Sequence, residues 1–360
     1  MKVLYIGHYK DPTGWGSACA NNIIAMDEVG IDVVARAITY ENQDSAYSDR
    51  IKPLEQKGHN DCDVVVQHTL PINYCYNSDY KKNIGYLAVE SADFSTTGWA
   101  RNCNMMDEMW VPSEETKQSL VRSGVNVPIQ IVPHSVDVQG IQGSPEGEKI
   151  DALENCFTFG FFGEFIERKN VKALLKAFHM AFSPLEPVNL FIKTSKADLE
   201  KVQNYAKFVR DGLKLRKRYK EEVIVTGMLP QRDYISVMRQ VNCFVMPSRG
   251  EAFCIPSLEA MCLGIPSIYT EGIGMGHTVG TSVKSHDVPC FGAVDTLEKL
   301  DTAWTTWKEI DVIDLAKAMR TMYEELSIDE VRQDTLNCCK VKSENYTHGA
   351  IGRTMKEMLK

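Results

Sequence analysis

Glu251 and Glu259, with seven residues between them, are the pair in this sequence whose type and spacing most directly suggest chemistry. They lie in Ser248-Arg249-Gly250-Glu251-Ala252-Phe253-Cys254-Ile255-Pro256-Ser257-Leu258-Glu259-Ala260-Met261-Cys262-Leu263-Gly264-Ile265-Pro266. Cys243–Arg249 is apolar and reads as a strand. Pro256 suits the first turn of a helix, where its missing N–H costs nothing, and Gly264 followed by Pro266 marks that helix's end. Glu251 therefore falls in a loop at the carboxyl end of a strand, and Glu259 near the first turn of the next helix. In open α/β sheets that edge is where ligands bind. A helix N-terminus offers unpaired N–H groups and the positive end of a dipole, which suit a diphosphate. A first-turn carboxylate can accept two hydrogen bonds from a ribose diol, and a loop carboxylate can hold sugar hydroxyls. The plainer alternative is a solvated Glu251 and a Glu259 that complements the helix dipole. Spacing alone leaves both open.

Cations stand in a second segment, Phe161-Phe162-Gly163-Glu164-Phe165-Ile166-Glu167-Arg168-Lys169-Asn170. Arg168 and Lys169 sit where an amphipathic helix begins. Cations there oppose the dipole, which favours a ligand role over a solvated one. Fixed cations at such a point stabilise a departing diphosphate as its charge grows. Thr226-Gly227-Met228-Leu229-Pro230 follows another strand and is either a plain turn or the border of a base pocket. Thr270-Glu271-Gly272-Ile273-Gly274 is explained by turn chemistry alone or lines the same site. In the first half, Gly7-His8-Tyr9-Lys10-Asp11-Pro12-Thr13-Gly14-Trp15-Gly16-Ser17 is a Gly-rich loop between strand and helix. Such loops approach phosphates, although Gly14-x-Gly16 alone is a weak motif. Gln67-His68-Thr69 and Val89-Glu90-Ser91 each end a strand, and a lone His or Glu there serves structure or an acceptor.

The pattern P-S-R-x-E-x-F-x-x-P-x-x-E-A-M-x-x-G-x-P resembles the signature of retaining glycosyltransferase family four, which has the GT-B fold. The resemblance implies that Glu259 holds the nucleotide ribose and that Glu251 lies beside the donor sugar. It implies donor contacts from the backbone of Ala252, Phe253, Cys254 and Ile255, and base contacts from Gly227 and Met228. The family usually has glycine at Ala252 and Cys254, so side chains there alter the fit of the sugar. Lys169 matches the family lysine that clasps pyrophosphate. Glu164 stands where the family has arginine, and Arg168 is the candidate replacement for that charge. Gly14 and Gly16 match the family's small residues across from the donor phosphates. Glu90, where many members have histidine, is the candidate for holding or deprotonating the acceptor hydroxyl, with His68 as a second acceptor contact. Met109-Trp110-Val111-Pro112-Ser113 and Val132-Pro133-His134-Ser135-Val136-Asp137 match scaffold and hinge segments.

These residues need a frame. At about 150 residues per domain, 360 residues predict two domains. Apolar, β-branched runs recur at Lys2–His8, Ile31–Ile38, Cys62–Thr69, Asn83–Glu90, Glu108–Ser113 and Ile129–His134. A second series follows at Phe157–Glu164, Val188–Ser195, Glu222–Leu229, Cys243–Arg249 and Pro266–Glu271. Many lack strict alternation, as parallel strands buried on both faces do. Helical periodicity lies between several of them, most clearly over Asn170–Phe182. The expected fold is α/β, two Rossmann-like domains with parallel sheets facing a central cleft. The N-terminal acceptor domain spans 1–138, the C-terminal donor domain 150–340, with Gly140–Lys149 as linker. A helix over about 345–360 is expected to pack back on the first domain, as the resemblance implies.

Composition narrows the function classes. The net charge of −8 argues against a protein coated for non-specific nucleic-acid binding. The 11 cysteines form no C-x-x-C pair and read as reduced, packed thiols of a cytoplasmic protein. No apolar stretch approaches the roughly 20 residues of a membrane span, and Met1–Ile6 reads as a strand rather than a signal segment. The expected reaction moves a hexose from a nucleoside diphosphate sugar, UDP-glucose or GDP-mannose, to an acceptor hydroxyl with retention. No metal or cofactor is expected, because no motif resembles a metal site and the family needs none. Lys193–Lys220 holds ten Lys or Arg against three Asp or Glu. It reads as a solvated helix, or as a surface for an anionic partner such as DNA bearing a hydroxylated base, or a membrane. A donor-binding GT-B protein without transfer activity, and an epimerase of the same fold, are the rival classes.

Overall fold

A computed structural model of the chain describes residues 1–39, 49–147, 149–215, 218–291 and 304–360. The chain divides into two units. One comprises Met1–Asp137, Pro289–Thr306 and Glu344–Lys360, and the other Val138–Val288 and Trp307–Ser343.

The first unit is built on β1 (Lys2–Gly7), β2 (Asp32–Ala37), β3 (Val64–His68), β4 (Lys82–Tyr86), β5 (Glu108–Val111) and β6 (Ile129–Ile131). All six are parallel, in the order β2-β1-β3-β4-β5-β6. The winding reverses at β1, so the edge between β1 and β3 is the switch point of this sheet. Val3, Tyr5, Val33, Val66, Ile84 and Trp110 are fully or almost fully buried, which is why these runs show no polar alternation.

The C-terminal helix His348–Met358 packs on the helix Gly14–Glu28 within this unit. Their axes approach closely at Gly352, where a Cβ would lie 2.1 Å from the Ala25 carbonyl oxygen. Helix propensity alone predicts that Gly352→Ala stabilises by about 1 kcal/mol. Overpacking costs about 1–3 kcal/mol, and a backbone carbonyl cannot rotate aside as a side chain does. The steric effect should win, and Gly352→Ala should lower the urea midpoint. An unchanged or raised midpoint would reject this close crossing.

The second unit is built on β7 (Phe157–Phe162), β8 (Val188–Lys193), β9 (Val223–Val225), β10 (Cys243–Met246), β11 (Ser267–Thr270) and β12 (Gly280–Val283). These are also all parallel, in the order β12-β11-β10-β7-β8-β9. The chain winds outward from β7 through β8 and β9, then returns to place β10 on the other side of β7. The carboxyl ends of β7 and β10 are therefore the switch point. Phe159, Phe161, Phe162, Phe191 and Phe244 are almost wholly buried here. Each contributes about 1.5–3 kcal/mol through removal from water. Two further strands, β13 (Ser285–Phe291) and β14 (Trp304–Ile310), pair in a separate two-stranded sheet.

Three expectations are corrected. β12 was not foreseen, since its Gly-Thr-Ser-Val sequence is polar and mostly exposed and it is held by backbone pairing to β11. The expected linker Gly140–Lys149 begins inside a helix, Val138–Gly143, whose Val138 and Ile141 are buried. Arg239 donates to the carbonyls of Ile141, Gln142 and Ser144, which fixes that stretch in the second unit; Glu148 lies outside the described residues. Pro289–Thr306, expected in the C-terminal domain, groups with the first unit.

Candidate active site

The loops after β7 and β10 bring the cations and the first glutamate together. The turn Glu167–Lys169 follows β7, and Asn170 enters the next helix, Val171–Ala181, in a left-handed conformation. The loop after β10 is tied to that turn by its backbone. The Arg249 N–H donates to the Arg168 carbonyl at 2.7 Å, and the Ser248 hydroxyl donates to the same carbonyl at 3.2 Å. Arg249 adds ion pairs to Glu167 at 2.6 Å and Glu309 at 2.7 Å, and Asn170 donates to Glu309 at 2.8 Å. Gly274 N–H donates to the Glu251 carbonyl at 2.8 Å, which anchors the loop from the β11 side.

Inside this frame Glu251 is buried. Its carboxylate accepts from Lys169 Nζ at 2.7 Å and from Arg168 Nη1 at 3.1 Å. Burial pushes the carboxyl toward neutrality, but the Lys169 ammonium and the Arg168 guanidinium outweigh it, and the net shift is below the ordinary value. Arg168 also donates to the Gly250 carbonyl at 2.6 Å. Its guanidinium, expected to replace a phosphate-binding charge, is buried and bonds to the Glu251 loop. Lys169 is the more accessible of the two cations, at 12% side-chain exposure against 7%.

Glu259 is the fifth residue of the helix Ile255–Cys262, just past its first turn. Cys254, at the cap of this helix, adopts a left-handed conformation with φ 63°. Pro256 falls in the first turn as expected. Glu259 is 9% exposed, and its carboxyl accepts from Gln231 Nε2 at 3.2 Å and has Tyr234 as a second hydrogen-bonding neighbour. Burial without a cation raises its pKa to about 7. Ala252, Phe253 and Cys254 are buried, and Ile255 is partly exposed. Phe253 stacks on His277 with 4.0 Å between centroids, and Ser257 Oγ lies 3.2 Å from His277 Nε2. Gly227 is partly exposed and Met228 is 62% exposed. Glu164 remains close enough to Lys193 to raise its pKa, while burial, the larger effect, lowers it.

Sequence reasoning overlooked Lys193, Gln231 and Tyr234. Lys193 was counted only as the start of a basic run, although a charged residue closing the apolar strand Val188–Lys193 was the available signal. The run itself is divided by the fold. Lys193 is buried in the sheet edge, and Arg210 is buried in an ion pair with Glu222, which also meets His179 at 2.6 Å. Arg216 and Lys217 lie outside the described residues. Lys196, Lys201, Lys207, Lys214 and Arg218 are exposed, and Lys207 pairs with Asp211 at 3.8 Å.

In the first unit the expected residues meet different surroundings. Gly14 is exposed and has open space beside it. Gly16 is buried, and a Cβ there would lie 1.8 Å from the Asp11 carbonyl oxygen, so its glycine serves packing of the loop on its own helix. His68 is 1% exposed, with Nδ1 2.8 Å from the Tyr5 hydroxyl. It sits between the rings of Tyr86 and Trp15, at 4.2 and 5.8 Å. Burial holds its pKa well below the ordinary value. His68 is thus enclosed by aromatic rings, with its Nε2 buried and without a hydrogen-bond partner among the described residues. Glu90 is half-buried and lies four residues beyond the end of β4 rather than at its tip. Cys338 is exposed and its neighbour Cys339 buried, so the adjacent thiols meet different surroundings. Among the described residues no group of three or more His, Cys, Asp or Glu is arranged to hold a metal, and no helix is long and apolar enough to cross a membrane.

Known proteins are similar over the same region. The family described as Glycosyl transferases group 1 matches residues 146–285, which include Arg168, Lys169, Glu251 and Glu259. The serotype-specific mannosyltransferase WbdA of Escherichia coli is 27% identical over 186 residues, 48% of this chain. The chain spans only 22% of that relative's length. Among solved structures, Anabaena Alr3699/HepE in complex with UDP has a TM-score of 0.69 at 13% identity, covering 100% of this chain and 99% of that one. A glycosyltransferase from Rickettsia africae has a TM-score of 0.66 at 11% identity, covering 99% and 97%. At such identities the likeness shows the fold, which is α/β and GT-B.

Proposed function

We propose that this protein, whose residues 146–285 match a glycosyltransferase group 1 segment, transfers a hexose from a nucleoside diphosphate sugar to an acceptor hydroxyl with retention. UDP-glucose and GDP-mannose are the donors to try first. The observation that carries the reading is the buried Glu251 held by Lys169 and Arg168 where β7 and β10 end side by side. In this reading Glu251 accepts hydrogen bonds from the sugar, and Lys169 together with the first-turn N–H groups of the Ile255–Cys262 helix stabilises the departing diphosphate. Arg168 orients Glu251. Glu259 accepts from the ribose diol, and the Gly227–Met228 turn borders the base. Glu90 is the candidate for the acceptor hydroxyl. The reaction needs no metal in this reading, because the leaving charge is met by Lys169 and backbone N–H groups. The buried thiols suit a reducing, cytoplasmic setting.

A panel of UDP-, GDP-, ADP- and dTDP-sugars read by thermal unfolding tests the donor. A ligand at a hundred times its Kd stabilises the fold by about 2.7 kcal/mol, a shift of a few degrees for a chain of this size. No shift with any of the panel would overturn the reading. With the active donor, the anomeric configuration of the product is read by NMR, and an inverted product would remove retention alone.

A further inference from the structure

Lys193 ends β8 with its ammonium buried, at 3% residue exposure. Its Nζ donates to the Gly227 carbonyl at 2.6 Å and to the Thr194 carbonyl at 3.2 Å. Glu164 acts on it only as a nearby charge. Burying an ammonium costs several kcal/mol, and carbonyl dipoles offset that cost less well than a bonded carboxylate would. A methionine would fill the same space without the penalty, so the charge must hold something that packing cannot. What it holds is the turn after β9. Gly227 is left-handed there, with φ 88°, and three residues later the chain enters the helix Gln231–Met238. That helix supplies both neighbours of the candidate ribose-binding carboxylate, since Gln231 donates to Glu259 and Tyr234 is its second partner. The helix has no side-chain cap of its own, because Pro230 stands at the cap position.

We infer that Lys193 is a positioning residue for the nucleotide end of the donor: its buried ammonium pins the Gly227 turn and thereby sets Gln231 and Tyr234 against Glu259. Lys193 acts on binding rather than on bond breaking. This rests on the donor reading proposed above. It follows that loss of the ammonium loosens the turn whether or not a nucleotide is present, and weakens nucleotide affinity when one is.

The test uses the full chain and the variant Lys193→Met. Hydrogen exchange is measured first, without ligand. Amides of residues 226–229 and 231 should exchange at least tenfold faster in the variant, while those of β7 stay as they were; equal exchange at these amides overturns the inference whatever the protein binds. UDP and GDP are then titrated by calorimetry. The Kd for the nucleotide that binds should rise at least tenfold, with kcat for sugar transfer changed less than threefold, and Lys193→Arg should recover part of the affinity. An unchanged Kd, or a fall confined to kcat, overturns the inference. If neither nucleotide binds the natural protein, the donor reading fails, and the exchange result still decides the role of Lys193 in the turn. Should the Met variant not fold, Lys193→Gln is carried through the same measurements with the same outcomes.

Discussion

Replacing Glu251 by Ala is expected to abolish sugar transfer and to lower stability by about 3–5 kcal/mol, because it leaves two buried cations without their shared anion. Lys169 and Arg168 approach the same carboxylate oxygen, so one substitution removes both pairings. Stability is read from urea unfolding at neutral pH. The isosteric Glu251→Gln keeps the volume and one acceptor oxygen, and its loss should be smaller. Its transfer rate should still fall on the order of a hundredfold, the size expected when one oriented electrostatic group is lost from a transition state. The carboxyl's folded pKa lies below its ordinary 4.5. Its contribution is therefore present above that value and is lost as pH falls through the folded one. The stability gap between the natural protein and the Gln variant should accordingly close on acidification. A Gln variant with full activity, or a gap that widens in acid, would refute the arrangement.

Glu259→Gln should have the opposite effect on the free protein. Here the carboxyl is raised from 4.5 to about 7 by burial, with an amide and a phenol but no cation beside it. A rise of that size corresponds to roughly 3 kcal/mol of penalty on the ionised form. The natural protein keeps the corresponding stability below the unfolded value near 4.5 and loses it as pH rises through about 7. The Gln variant has nothing to ionise. It should match the natural protein in acid and exceed it in mild alkali by up to about 3 kcal/mol, as read by unfolding at both pH values. Nucleotide affinity should move the other way. Hydrogen bonds to a charged acceptor are worth about 1.5–3 kcal/mol, so the variant should bind the active nucleotide roughly 10- to 100-fold more weakly. For the same reason the natural protein's affinity should increase as pH passes through about 7. A variant that is no more stable in alkali, or that binds as tightly as before, would remove Glu259 from its proposed role. Gain of stability with loss of binding is what a site kept partly unsatisfied for a ligand predicts.

Much of the frame was legible because its signals are local. All eleven apolar runs became parallel strands, since a strand buried on both faces reads as a continuous hydrophobic stretch. The amphipathic run became the helix Val171–Ala181, and Pro256 and Gly264 bracketed the helix that carries Glu259. β12 escaped because it is held by main-chain pairing and carries no apolar pattern. Glu259 lies just past the first turn because the helix begins at Ile255, one residue before Pro256, and its cap is a left-handed cysteine, a conformation that no propensity rule announces in a residue other than glycine.

The site was legible in its members but not in their partners. Spacing brought forward Glu251, Glu259, Arg168 and Lys169 as residues able to do chemistry, since loop position and helix termini are written in short stretches of sequence. Which charge meets which depends on strand order. β10 lies beside β7, which brings Glu251 to cations 82 and 83 residues away. The same long-range packing draws Lys193 out of an apparent surface run and into the sheet edge, and seals His68 among aromatic rings. Sequence alone determined the eleven apolar strands and the helices and loops that carry the candidate residues, because each of these follows from neighbours a few residues apart. The tertiary structure decided burial and pairing, because the free energy of a charge depends on what surrounds it in space.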